Sequence, residues 1–206
     1  MMDAGARLDG IVSRETNARL EILAAQLRKW TPAINLISKG SVAQLEIRHI
    51  LDSAQLFRFA PPGKGHWADL GSGGGFPGLV IAAVAHDENP AMHVTLVESD
   101  LRKAAFLEQT ARAMGVTVQV IAQRIELLDP LDCTILSARA LASLNGLCGH
   151  ASIHLRRDGV ALFPKGRSYR DEIAEAKQNW TFHHEVHPSM TDPEAVILAL
   201  REVSHV

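Results

Sequence analysis

Asp69-Leu70-Gly71-Ser72-Gly73-Gly74-Gly75-Phe76-Pro77-Gly78 places an acid and four near-consecutive glycines directly after the apolar residues Trp67 and Ala68. A loop rich in residues without a Cβ lets backbone approach a ligand closely. Pro77 then offers a fixed φ suited to the first turn of a helix through Leu79, Val80, Ile81 and Val84. Strand, glycine loop and helix start together describe a nucleotide-cofactor site. Further along lie Glu98, able to accept two hydroxyl hydrogen bonds, and Arg124-Ile125-Glu126, where backbone and a carboxylate could meet a base edge. Arg139 and Lys165 supply cations for a cofactor, a substrate or a phosphate.

The glycines support two registers. Gly73-x-Gly75-x-x-Gly78, with Glu98 about 20 residues on, fits the dinucleotide fingerprint of an NAD-dependent oxidoreductase. Asp69-x-Gly71-x-Gly73-x-Gly75 fits the first motif of S-adenosylmethionine (AdoMet) methyltransferases. Asp69 favours the second, because a carboxylate suits an ammonium-bearing cofactor and would repel a pyrophosphate.

These residues need elements to hold them at one edge. Alternating apolar runs predict strands at 67–70, 93–97, 116–121, 133–137 and 159–163, separated by helices near 77–86, 100–114 and 141–155. Such βα alternation implies a doubly wound, mostly parallel sheet, whose ligand sits beyond the carboxyl ends of the strands. Glu98, Arg124-Ile125-Glu126, Arg139 and Lys165 each follow one of those strands. A helix near 171–179 leads to two strand-like runs at 182–186 and 195–203 with no helix between them, which predicts a terminal antiparallel pair and seven strands in all. Upstream, helices are expected at about 13–30 and 41–59, opened by Ser13 and Ser41. They form an N-terminal helical extension over residues 1–66, and the break at Pro61-Pro62-Gly63 separates it from a cofactor-binding domain over 67–206. Within the extension His49, Asp52 and Ser53 have i, i+3, i+4 spacing, fit to orient a substrate or to pin the extension to the sheet.

Composition narrows the class. With 47% hydrophobic and 21% charged residues, and no apolar run near the 18 or so needed to span a bilayer, a globular cytoplasmic protein is expected. Residues 1–10 lack the apolar core of a signal peptide. Cys133 and Cys148 are too few for a disulfide framework, and His183, His184 and His187 lack zinc-ligand spacing, so no metal is expected. No G-x-S-x-G elbow supports a serine hydrolase. The net charge of -2 argues against a general nucleic-acid coat protein, yet residues 133–170 hold six Lys/Arg against Asp158 alone. That basic zone is either solvated surface or an RNA-backbone footprint. A non-catalytic RNA-binding module would use it without needing an intact cofactor loop.

Asn35-Leu36-Ile37, Arg48-His49-Ile50-Leu51-Asp52-Ser53, the glycine string ending Phe76-Pro77-Gly78, Leu96-Val97-Glu98-Ser99, Arg124-Ile125-Glu126, Ser137-Ala138-Arg139-Ala140 and Pro164-Lys165-Gly166 together resemble the RsmG (GidB) family of bacterial 16S rRNA methyltransferases. The resemblance implies a class I, Rossmann-like AdoMet methyltransferase that methylates N7 of a guanine in the 530 loop of 16S rRNA, acting as a monomer on the rRNA or the 30S subunit. It places Gly71, Phe76, Ile125, Glu126 and Arg139 at the cofactor, beside Asp69, Gly73, Gly75 and Glu98. Arg139 is the residue expected to carry catalysis, by positioning. His49, Arg156, Arg157, Lys165 and Arg167 are expected on RNA. Two departures are small: Ile125 stands where many members have alanine, and Arg102 where lysine is common.

Overall fold

A computed structural model describes residues 12–38 and 45–206. Seven strands, β1 (Gly65–Leu70), β2 (Met92–Val97), β3 (Gln119–Ile121), β4 (Cys133–Ala138), β5 (Leu155–Lys165), β6 (Trp180–Pro188) and β7 (Val196–His205), form one sheet in the order β3-β2-β1-β4-β5-β7-β6. β1 to β5 pair in parallel, and β7 runs antiparallel to both β5 and β6. The order reverses at β1, so the glycine loop opens at a topological switch point, where ligands of such sheets bind.

The strands are buried on both faces, and their period of two sorts side chains into two cores. Trp67, Leu96, Ile135, Leu162 and Ile197 face one, while Ala68, Val97, Leu136, Phe163 and Leu198 face the other. Helices α3 (Gly78–Glu88) and α4 (Leu101–Met114) cover the first; α5 (Leu144–His154) and α6 (Tyr169–Ala176) cover the second. Asp100 caps α4 through the N–H groups of Arg102 and Lys103, and Gly115 ends it at φ +69°.

Two further helices join the first core. α1 (Arg14–Ile34) is capped by Ser13 and buries Leu20, Leu23 and Leu27; Trp30 meets Phe106 of α4 edge-on, with centroids 5.8 Å apart. It runs past the end expected near Trp30, carries Pro32 in its last turn, and stops where Asn35 turns to φ 51°. The start expected at Ser41 lies outside the described residues. The rest of that second helix departs from the regular α-helix predicted. It comprises a π-helical stretch (Glu46–Leu51), one α turn (Asp52–Ala54) and a 3₁₀ stretch (Gln55–Phe59), together α2. Ser53 donates from its hydroxyl to the carbonyl of His49 at 2.6 Å, a back-bond that bends helices.

Candidate active site

Close packing shapes the glycine loop. Gly71 sits at φ +67°, and a Cβ there would come within 2.7 Å of Leu141 Cδ1. Gly78 opens α3, and a Cβ there would meet Asp69 Oδ2 at 2.7 Å and run into Leu96. Between these points the loop is held by two carboxylates. Glu98, at the end of β2, accepts the Gly73 N–H at 2.9 Å through Oε2 and the Asp100 N–H at 2.9 Å through Oε1. Asp69, fully buried, accepts the Gly78 N–H at 3.1 Å and the Ser137 hydroxyl at 2.7 Å; Ser137 in turn accepts the Trp67 indole N–H at 2.8 Å. Burial pushes the Asp69 carboxyl up to about 6, against the pull of Ser137, Ser72, Gly78 and Arg139. Asp69 therefore does not present itself to solvent or to an ammonium group directly. It ties the loop to β4 and to the start of α3. Ser137, a buried hydroxyl in a mostly apolar strand, is visible in the sequence but not as the link between Trp67 and Asp69.

Across a cleft of about 350 Å³ from this loop stand Arg139 and His49, with Leu36, Ile37, Phe76 and Ala140 completing the walls. Arg139 has donors only, so its Nη2 donates to His49 Nδ1 at 2.6 Å, which makes that imidazole the neutral tautomer with hydrogen on Nε2. Arg139 also lies over the Phe76 ring at 5.1 Å and 3.7 Å from Asp52 Oδ2, and His49 stacks on Phe76 with centroids 5.0 Å apart. Burial draws the arginine's pKa down, while Asp52 and Asp69 push it back up. Burial outweighs the two carboxylates, so the pKa stays below the usual arginine value. Ala140 follows at φ 53°, a left-handed conformation that a residue with a Cβ adopts at a cost, and it turns the chain so that Leu141 covers Gly71.

The sequence-derived residues do not all assemble here. Gly71, Gly73, Phe76, Arg139 and His49 line the cleft; Asp69, Gly75 and Glu98 support it. Ile125 points its side chain into the second core, and Glu126 is exposed beside Arg124 at 3.5 Å, with its carboxyl held low by its own backbone N–H and by Arg124. Ile125 can thus offer a ligand little but backbone. Lys165, expected on RNA, has its side chain nearly buried, donating to Glu172 at 2.7 Å and to the Ala142 carbonyl at 3.2 Å. Glu172 also accepts the Leu144 N–H at 3.0 Å, so this pair braces the 139–143 loop instead of reaching for RNA. Arg156 and Arg157 are also displaced. β5 starts at Leu155, earlier than the predicted 159, which puts them at its amino end, about 30 Å from its carboxyl end at a rise of about 3.3 Å per residue. Arg156 is forked onto Asp158 at 3.1 and 3.2 Å. Arg167, in the turn after β5, is exposed on the side of the cleft. Among the described residues no cluster of His, Cys, Asp or Glu could hold a metal, and no helix is long and apolar enough to cross a membrane.

Comparison with known proteins places the chain in a family. Residues 16–198 match the family model of rRNA small subunit methyltransferase G. The chain is 52% identical over 195 residues to ribosomal RNA small subunit methyltransferase G of Ruegeria pomeroyi, covering 95% of each chain. It is 47% identical over 206 residues to the protein of that name from a Ruegeria species, covering all of both. Among solved structures, a TehB-like SAM-dependent methyltransferase from Corynebacterium glutamicum superposes with a TM-score of 0.57 at 12% identity, covering 80% of this chain and 93% of that one, a likeness of fold.

Proposed function

The chain belongs to the rRNA small subunit methyltransferase G family, and from that premise we propose that its methyl acceptor is N7 of a guanine in the 530 loop of 16S rRNA. The protein is a ribosomal RNA methyltransferase, and its cofactor is AdoMet, which supplies an electrophilic methyl group on a sulfonium. The cradle suits that cofactor. The glycine loop leaves open space at Gly73, where the nearest atom to an added Cβ would be 3.7 Å away, and Glu98 retains lone pairs for ribose hydroxyls beside its two N–H partners.

One observation carries the choice of acceptor atom. Among the described residues that line the cleft, His49 is the only side chain with a basic nitrogen lone pair, and that Nδ1 lone pair is already engaged by Arg139. A nucleophile that needs deprotonation has no base there. Guanine N7 needs none, since it carries a free lone pair and no proton. Arg139 then positions cofactor and base, and positioning accounts for most of the rate. Asp52 and Asp69 offset part of its charge, which reduces the repulsion felt by a base that becomes cationic beside it.

On this reading the protein works in the cytoplasm as a monomer, with RNA lying over His49 and Arg167, and Arg156 and Arg157 meeting backbone remote from the reacting base. The test is transfer of labelled methyl from AdoMet to purified 16S rRNA or 30S subunits, followed by nucleoside and fragment mass spectrometry. 7-Methylguanosine confined to the 530-loop fragment is expected. Label in another nucleoside, or in another region, would overturn the assignment.

A further inference from the structure

Asp52 divides its carboxylate between two distant parts of the chain. Oδ2 faces Arg139 Nη1 at 3.7 Å. Oδ1 accepts from Thr191 Oγ1 at 2.8 Å and from Gln55 Nε2 at 2.8 Å, with Ser189 Oγ at 3.5 Å. Gln55 is itself buried, and its Oε1 accepts the Met190 N–H at 2.9 Å while its Nε2 reaches Ser189 Oγ at 3.1 Å. The turn between β6 and β7, residues 189–195, is therefore fastened by four side-chain bonds to the same carboxylate and amide that lie behind Arg139. β6 runs in the direction of β5, so this turn stands at the carboxyl edge of the sheet, on the side of the cleft. It presents Met190, 54% exposed, as a polarizable surface that can lie against a nucleobase.

We propose that Asp52 is a positioning residue that acts through Arg139, and that with Gln55 it sets the β6–β7 turn as the acceptor-side wall of the methylation site. The inference rests on the function proposed above. Its physical content is that one carboxylate fixes two things at once: the orientation of the guanidinium, through charge, and the distance of the turn from it, through Oδ1. His49 holds Nη2 of the guanidinium and the Asp52 charge faces Nη1, so loss of that charge misaims the group over Phe76. Misplacement of a positioning group by about 1 Å costs on the order of a hundredfold in rate.

Two substitutions separate the two halves. Asp52→Asn keeps an oxygen for Thr191 and Gln55 but removes the charge facing Arg139. Thr191→Val keeps that charge and releases the turn. With 16S rRNA as acceptor, Asp52→Asn is expected to lower kcat by about ten- to a hundredfold while the affinity for S-adenosylhomocysteine, measured by calorimetry, shifts by less than about threefold. Thr191→Val is expected to act mainly on KM for rRNA, raising it by about three- to tenfold. Asp52→Glu, which restores the charge, should recover part of the lost kcat. Asp52→Asn with kcat near wild type, or with no recovery by Asp52→Glu, would overturn the role of Asp52; an unchanged KM for Thr191→Val would overturn the wall. Methylation by the wild-type protein, and the atom it reaches, report on the proposed function separately, because the variants are read only as ratios to wild type.

Discussion

Asp69 offers a quantitative test of how the glycine loop is held. Its carboxyl is raised by burial from 3.8 to about 6. An acid with a raised folded pKa binds its proton more tightly in the folded state. That stabilisation is fully present below 3.8 and disappears as pH rises through about 6. Between about pH 4.5 and about pH 7.5 the loss amounts to about 2 kcal/mol by linkage. Asp69→Asn removes the titration yet preserves the shape: the amide oxygen can accept the Gly78 N–H and the amide nitrogen can donate to Ser137 Oγ. Urea unfolding of both proteins across this range isolates the group, since other titrating residues cancel in the difference. The stability of Asp69→Asn relative to wild type should rise with pH by about 2 kcal/mol, most steeply near pH 5, midway between 3.8 and about 6. A difference that stays constant with pH, or that falls as pH rises, would refute the description of Asp69 as a carboxyl whose burial outweighs its hydrogen bonds to Ser137 and Gly78.

Arg139→Ala should leave a folded protein whose single-turnover methylation of 16S rRNA is reduced by about a hundredfold or more, while near-normal methylation would remove Arg139 from the site. Gly78→Ala should destabilise by about 1–3 kcal/mol, read as a lowered urea midpoint, because the added methyl collides with Leu96 and Asp69 in a closed core. Lys165→Met should lower stability by about 1–2 kcal/mol through loss of the Glu172 brace, with no change in the salt dependence of RNA binding; a slope shallower by about one would return Lys165 to the RNA surface. Neutralising Arg156 and Arg157 together should reduce the salt slope of rRNA binding by about one to two and raise KM, and an unchanged slope would take that end of β5 off the RNA.

The elements are largely legible in the sequence because they depend on constraints local in the chain. Period-two apolar runs, N-caps such as Ser13 and Asp100, and the stop at Gly115 each act over a few residues, and each appears where expected. The irregular α2 is not legible. Its π and 3₁₀ stretches follow from the Ser53 back-bond and from side chains that reach other elements, and helical spacing alone does not encode these. The long polar side chains are the least predictable part of the site. Lys165 follows a strand, which suggests a phosphate ligand, but Glu172 of α6 and the Ala142 carbonyl claim it first. Arg156 and Arg157 are close to Lys165 in sequence, yet an extended strand puts its two ends on opposite edges of the sheet.

By itself, then, the sequence determined the glycine loop, the acid before it and the strand order's broad plan, since absence of a Cβ and apolar periodicity are properties of residues and their near neighbours. Gly71, at φ +67°, states its requirement through its own backbone, whereas the packing of Leu96 and Asp69 imposes it on Gly78. The tertiary structure alone decided what the charged groups do. Asp69 became a buried brace, Lys165 a strut, and Asp52 the carboxylate shared by Arg139 and the β6–β7 turn, the latter more than 130 positions away. A charge acts through whatever the fold brings within a few ångströms of it, and that is set by packing across the whole chain.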